Sequence, residues 1–226
     1  EYSQMVGQRR AGAATDNKMR QTAATNFQKA CNKAGLNVTV HHDRGIAGQE
    51  LLHESIYADM LIIDKEQTFS KHQEPVPGGF IRNILAEAAC PLLVVPGKFR
   101  TIEKLVLLYD GGPSSVYAIR QFSYIFSKLK TLPAEVVCVR DTSLNRHLPD
   151  HRLMKEFMKR HFPEAVYTIL EGDPETEIIR HLKDRQQNEL LVLGAYQRHA
   201  ISRWFKTSMA DRLLQQLKTP LFIAHR

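Results

Sequence analysis

The sequence predicts an α/β protein, a parallel sheet covered by helices on both faces and built from one pattern used twice. Three observations carry this. Short apolar runs alternate with amphipathic segments of helical period across the second half. The runs are apolar throughout, as in strands buried on both faces, where a half-exposed strand would alternate. Segments of the first half also recur in the second at a nearly constant offset, 129 from Pro91 to Pro220 and 130 from Asp64 to Gly194.

In the second half, "KLVLLYD" (104–110) is a buried-strand run ending at Asp110. "SSVYAIRQFSYIFSKL" (114–129) follows with helical periodicity through Val116, Ile119, Phe122 and Phe126. "AEVVCVR" (134–140) reads as a strand, "DHRLMKEFMKRHF" (150–162) as an amphipathic helix and "EAVYTIL" (164–170) as a strand. The next helix starts at "EGDPETEIIRHLKD": Asp173 can cap it, Pro174 fits its first turn, and Glu175 and Glu177 suit its positive end. "ELLVL" (189–193), a helix opened by Ser208 and "PLFIAH" (220–225) complete the series.

The first half repeats the later part of that order. "LNVTVHH" (36–42) matches "EAVYTIL", and "GQELLHESIYA" (48–58) matches the helix after Asp173. "DMLIID" (59–64), "GFIRNILAEAA" (79–89) and "PLLVVP" (91–96) match the last strand, helix and strand. A helix over about 15–35, stopped by Gly35, precedes them. Residues 1–13 hold no counterpart of "KLVLLYD" or of helix 114–129, so the first repeat lacks its opening strand and helix. "GKFRTIE" (97–103) reads as the linker, which places the domains at 1–97 and 98–226.

Composition narrows the function classes. The net charge of +7 and pI near 9.4 are compatible with nucleotides, nucleic acid or acidic membranes. There is no zinc knuckle, aromatic RNA-reading motif or dense Lys/Arg block, so scattered solvated charge is the expectation, with no nucleic-acid partner. No apolar stretch approaches a membrane span, and no signal-peptide pattern appears, so membrane insertion is not expected. Cys31, Cys90 and Cys138 form no CxxC or metal spacing and are expected as reduced core thiols in a cytoplasmic protein. The chain opens with Glu1, compatible with a segment of a longer polypeptide.

These residues resemble a tandem universal stress protein. "LVLLYDGGPSS" is similar to the family's strand-to-loop start, with Asp110 at its acidic position. "EGDPETEII" resembles its third helix entry, "ACPLLVVP" its last strand, and residues 189–225 its signature loop and closing strand. The resemblance implies two tandem open parallel five-stranded sheets, Rossmann-like and adenine nucleotide α-hydrolase-like. It also implies pairing of the final strands, here 91–96 with 220–225, as an internal pseudo-dimer or in a homodimer. Some members bind ATP through G-x2-G-x9-G-[ST] in the loop before the last helix; others do not.

Glycines serve a phosphate loop because a Cβ obstructs the approach of backbone N–H groups to the oxygens. In that pattern Gly194 takes the first position, Gln197 the second, Thr207 the third and Ser208 the hydroxyl position. The spacing survives and two of three glycines do not. Gln197 and Thr207 would put side chains where oxygens should sit, and β-branched Thr207 disfavours positive φ. Arg198, His199, Arg203 and Lys206 can supply compensating charge or be ordinary loop residues. Ser208 equally fits a capping-box-like start, with Asp211 near the helix dipole. The resemblance gives Asp110 ribose or base contacts, against the alternative of a turn Asp bonding its own "DGGPS" loop. It gives Val137 an adenine contact through its backbone, against that of a core valine. In the first repeat Asp64 replaces the first loop glycine, so no nucleotide site is expected there.

His41-His42-Asp43 carries no metal expectation, because adjacent strand residues point to opposite faces and no matching spacing occurs elsewhere. No nucleophile, base and oxyanion donor assemble. The expected function is a non-enzymatic stress-response protein acting through an unknown protein partner, with no firm cofactor and ATP binding weak or lost. Two alternatives stand beside it: an ATP sensor or slow ATPase built on the second repeat, and a soluble regulatory tail of a membrane transporter.

Overall fold

The structure, a computed structural model, describes residues 2–41, 46–67, 76–98, 100–140, 148–183, 188–194 and 207–224. These fall into two compact units, Glu1–Gly45 and Ile46–Arg226. The linker at 97–103 lies inside the second unit.

The first unit is a single helix, α1 (Tyr2–Lys33), longer than the periodicity suggests. Gly35 ends it at φ +71°. The Leu36 N–H donates to the Cys31 carbonyl at 2.9 Å and the Gly35 N–H to that of Asn32 at 3.1 Å, the paired bonds of a Schellman stop. The strand expected at 36–42 is not formed over the described residues 36–41. A strand needs a neighbour to pair with. Its counterpart "EAVYTIL" pairs with residues 134–140, and the positions one offset of 129 before those, 5–11, lie in α1.

In the second unit the elements run α2 (Ala47–Glu54), β1 (Leu61–Asp64), α3 (Gly79–Glu87), β2 (Leu92–Val95), β3 (Lys104–Leu108), α4 (Pro113–Ile125), a 3-10 turn (Ser127–Thr131), β4 (Ala134–Arg140), α5 (His151–His161), β5 (Val166–Glu171), α6 (Pro174–Lys183), β6 (Glu189–Gly194), α7 (Thr207–Gln216) and β7 (Leu221–Ala224). In place of two separate sheets there is one seven-stranded sheet of order β1-β2-β7-β6-β3-β4-β5. Among the described residues its second-repeat part has the expected five parallel strands and its first-repeat part has two.

The two parts meet where β2 pairs antiparallel with β7, in the register Leu92 to Ile223, Leu93 to Phe222 and Val94 to Leu221. The central pair, Leu93 and Phe222, is separated by the repeat offset of 129. The same register links β1 to β2 and β6 to β7: Leu61 opposes Leu92 as Leu191 opposes Leu221. Buried positions follow suit, since Ile81, Ile84 and Leu85 on α3 correspond to Ala210, Leu213 and Leu214 on α7.

Strand parity divides the core into two layers. Val106, Leu108, Val137, Leu191 and Ile223 meet α3, α6 and α7 on one face. Leu105, Leu107, Val136, Val192 and Phe222 meet α4 and α5 on the other. Phe122 of α4 packs edge-on against Phe222 at 5.3 Å between ring centroids, and nearly parallel to Phe162 at 6.4 Å.

At the N-terminal ends of the strands, a nearly buried carboxylate interrupts an otherwise apolar run. Glu135 of β4 accepts from Lys104 Nζ at 2.5 Å and from Thr168 Oγ1 at 2.6 Å, with His181 Nε2 of α6 at 3.0 Å. Glu189 lies 3.7 Å from the same ammonium.

The α6 entry follows the sequence reading. Asp173 Oδ2 accepts from the Thr176 N–H at 2.9 Å and from its hydroxyl at 2.8 Å. The backbone N–H bond is the main reason the Asp173 carboxyl sits below its ordinary range, with the hydroxyl adding to it. Asp173→Ala is expected to cost about 1 kcal/mol, the usual loss for such a cap. Because the folded group is the stronger acid, this contribution is present above the ordinary carboxylate range and lost as pH falls through the folded value. Thermal melts should therefore separate variant from parent at neutral pH and converge under strongly acidic conditions.

Candidate functional site

In β6, β3 and β4 the C-terminal ends lie along one edge of the parallel sheet. The chain leaves β3 toward β4 and β5, then returns across the sheet to β6. The switch point, where open α/β sheets place ligands, therefore falls between the ends of β3 and β6. Asp110 and Gly194 stand on its two sides, as the spacing of the motif requires.

The described residues at this point are engaged with one another. Asp110 is 3% exposed, and its Oδ1 accepts the Gly112 N–H at 2.8 Å. That bond closes a turn over Gly111, whose φ of +82° favours glycine. A Cβ on Gly111 would lie 2.6 Å from that of Pro149, so the 148–150 segment packs directly on the turn. Tyr109 reinforces the contact by donating its hydroxyl to the Pro149 carbonyl at 3.0 Å. Gly112 flanks α4 and Pro113 takes the first helical position, where no N–H is needed.

Gly194 faces α4. A Cβ built on it would fall 2.2 Å from the Ser114 carbonyl carbon, 2.3 Å from its oxygen and 2.5 Å from the Ser115 nitrogen. The absent side chain thus admits the first turn of α4 against the end of β6. The space beside Gly194 on this side is occupied by backbone.

Of the other residues the motif singles out, Val137 is fully buried in the α6/α7 layer, and its carbonyl accepts the Tyr109 N–H at 2.9 Å. Thr207 is the first residue of α7, which places Ser208 inside the first turn where the capping reading needs it just before the helix. Gln197 and the basic residues Arg198, His199, Arg203 and Lys206 lie outside the described residues. Asp211 accepts from Arg82 Nε of α3 at 2.9 Å, a partner that the helix-dipole reading does not contain.

In the first repeat, Asp64 Oδ1 accepts the Glu66 N–H at 2.9 Å, an ordinary turn contact. The adjacent Lys65 is buried and donates to the carbonyls of Leu214 and Leu217, each at 3.1 Å. A cation there meets the negative end of α7 and satisfies its terminal carbonyls. No sequence pattern signals this contact, because it joins residues 149 and 152 positions apart.

Beside the turn, between α4 and α5, lies an open groove of about 440 Å3, lined by residues that include Tyr109, Gly111, Pro113, Arg120, Met154 and Arg160. Asp110, Val137 and Gly194 are not on its wall. Burial pushes the Tyr109 hydroxyl up to about 12, the Asp150 carboxylate adding to the effect. Burial likewise pushes the Cys138 thiol up to about 12 and raises Cys90, so neither offers a reactive thiolate. Cys31 is half-buried. Among the described residues no group of three or more His, Cys, Asp or Glu is placed to hold a metal ion, and no helix is long and apolar enough to cross a membrane.

The fold of this sheet, covered on both faces, is similar to that of solved universal stress proteins. A universal stress protein from Archaeoglobus fulgidus superposes with a TM-score of 0.67 at 14% identity, covering 93% of this chain and 78% of that one. A putative universal stress protein from Pseudomonas aeruginosa gives 0.60 at 14% identity, over 91% and 78%. In sequence the chain is 24% identical to a universal stress protein of Synechocystis sp. over 211 residues, 88% of this chain and 73% of the relative. No family model matches. The solved structures share the fold, and the sequence likeness is to a universal stress protein, the family that the residues resemble.

Proposed function

We propose that the chain acts as a non-enzymatic, cytoplasmic universal-stress-type protein that works through protein partners, with adenine-nucleotide binding weak or lost. Its two parts pair through β2 and β7 as an internal pseudo-dimer. The observation that carries the nucleotide reading is Gly194, whose missing side chain makes room for the Ser114–Ser115 backbone. Asp110 supports it by spending one carboxylate oxygen on its own turn, and Val137 by lying in the core with its carbonyl in the ladder. On the described side of the crevice the Ser114–Ser115 backbone fills the space beside Gly194 that a phosphate oxygen would need.

Titration calorimetry with MgATP on the intact chain is expected to show no saturable binding at micromolar concentration. Micromolar binding abolished by Asp110→Ala would favour the ATP-sensor alternative instead.

A further inference from the structure

Arg82 and Asp211 are 129 positions apart, the same offset that separates Leu93 from Phe222 at the centre of the β2–β7 pairing. They are therefore equivalent positions of the two repeats, and they touch, Nε to Oδ2, at 2.9 Å. In a two-fold assembly of identical halves, a residue that meets its own equivalent near the axis must meet an identical side chain. Arginine would face arginine, or aspartate would face aspartate. Opposite charges can meet at such a position only when the two halves differ.

We propose that this divergence makes the pairing surface of the second half specific for the first half and unsuited to a second copy of itself. The inference rests on the internal pairing proposed above. A like-half pair through β7 would bring Asp211 against its own copy, with only 15% of its side-chain surface exposed to water to screen the repulsion. The apolar part of the interface offers no comparable discrimination. Leu93 and Phe222 are both hydrophobic, and volume changes among apolar side chains are tolerated better than facing like charges. Lys65 adds a second contact of the same sense, tying the end of β1 to the Leu214 and Leu217 carbonyls of α7.

A charge-reversal cycle on the intact chain tests the proposal. Arg82→Asp or Asp211→Arg alone creates like charges at the contact and should lower Tm by about 3–6 °C. The double reversal restores opposite charges and should return Tm to within about 2 °C of the parent. Additive losses in the double variant, or single reversals that leave Tm unchanged, would overturn it. Light scattering on the parent separates this question from the internal pairing itself. A monomer supports both readings. A stable two-chain species argues against pairing within one chain, and the reversal cycle still decides the charge rule, because complementarity does not depend on which chain supplies each half.

Discussion

Gly194→Ala should destabilise the protein by about 3 kcal/mol or more, at the upper end of what overpacking a core costs. A Cβ at this position would fall 2.2–2.5 Å from the backbone of Ser114 and Ser115. The neighbour is main chain, so no rotamer change relieves the clash; the first turn of α4 must move. That turn is coupled to the bond from Gly112 to Asp110 and to the packing of Pro149 on Gly111, so displacement spreads through the whole edge of the sheet. In a domain of this size the loss corresponds to a fall in Tm of about 6–12 °C. Gly48→Ala is the control. It lies in α2 with Phe80 carbons at 3.6 and 3.8 Å, ordinary contact distances, and should be neutral or stabilising through helix propensity. Urea denaturation of both variants checks the pair. If Gly194→Ala keeps parental stability but loses measurable ATP affinity, the glycine serves a ligand and the packing account is wrong.

The second large effect is expected at Glu135. Truncation to alanine removes the carboxylate that accepts from Lys104 and Thr168 and neighbours His181, leaving these groups beside a largely dry cavity. Breaking a buried ion pair from one side costs about 3–5 kcal/mol, because the remaining charge keeps its desolvation penalty. The lower part of that range applies here, since Glu189 lies 3.7 Å from the Lys104 ammonium and that side chain is 30% exposed. Combining Glu135→Ala with Lys104→Met should recover part of the loss, as expected when the damage is an orphaned charge. A Glu135→Ala variant within 1 kcal/mol of the parent in urea denaturation would show that the network contributes little.

Much of the fold is legible in the sequence, and particular residues show why. The stop at Gly35 and the cap at Asp173 are local chemistry: their partners lie within a few positions, so the pattern of residues contains the whole interaction. The β3–β7 strands and the helices between them have clean periods, because each buries one continuous surface. The offset of 129 identified equivalent positions without showing that Arg82 and Asp211 touch. The strand expected at 36–42 does not form over the described residues 36–41 for the opposite reason. Its apolar residues are suitable, and pairing depends on a neighbouring strand that the described residues of the first repeat do not form.

The candidate site was legible as a location and not as an environment. Asp110 at the end of β3 and Gly194 at the end of β6 follow from chain order, and chain order also places them at the switch point. Whether a glycine leaves space for a ligand or for another stretch of backbone depends on how closely α4 approaches β6. That approach is set by packing of Ile119 and Phe122 against Phe222 and the rest of the α4/α5 layer, contacts between segments far apart in the chain. Element type, order and equivalence are short-range properties carried by residue pattern. Occupancy of the crevice, the partner of Asp211 and the company kept by Glu135 are long-range properties, which exist only once distant segments share a surface.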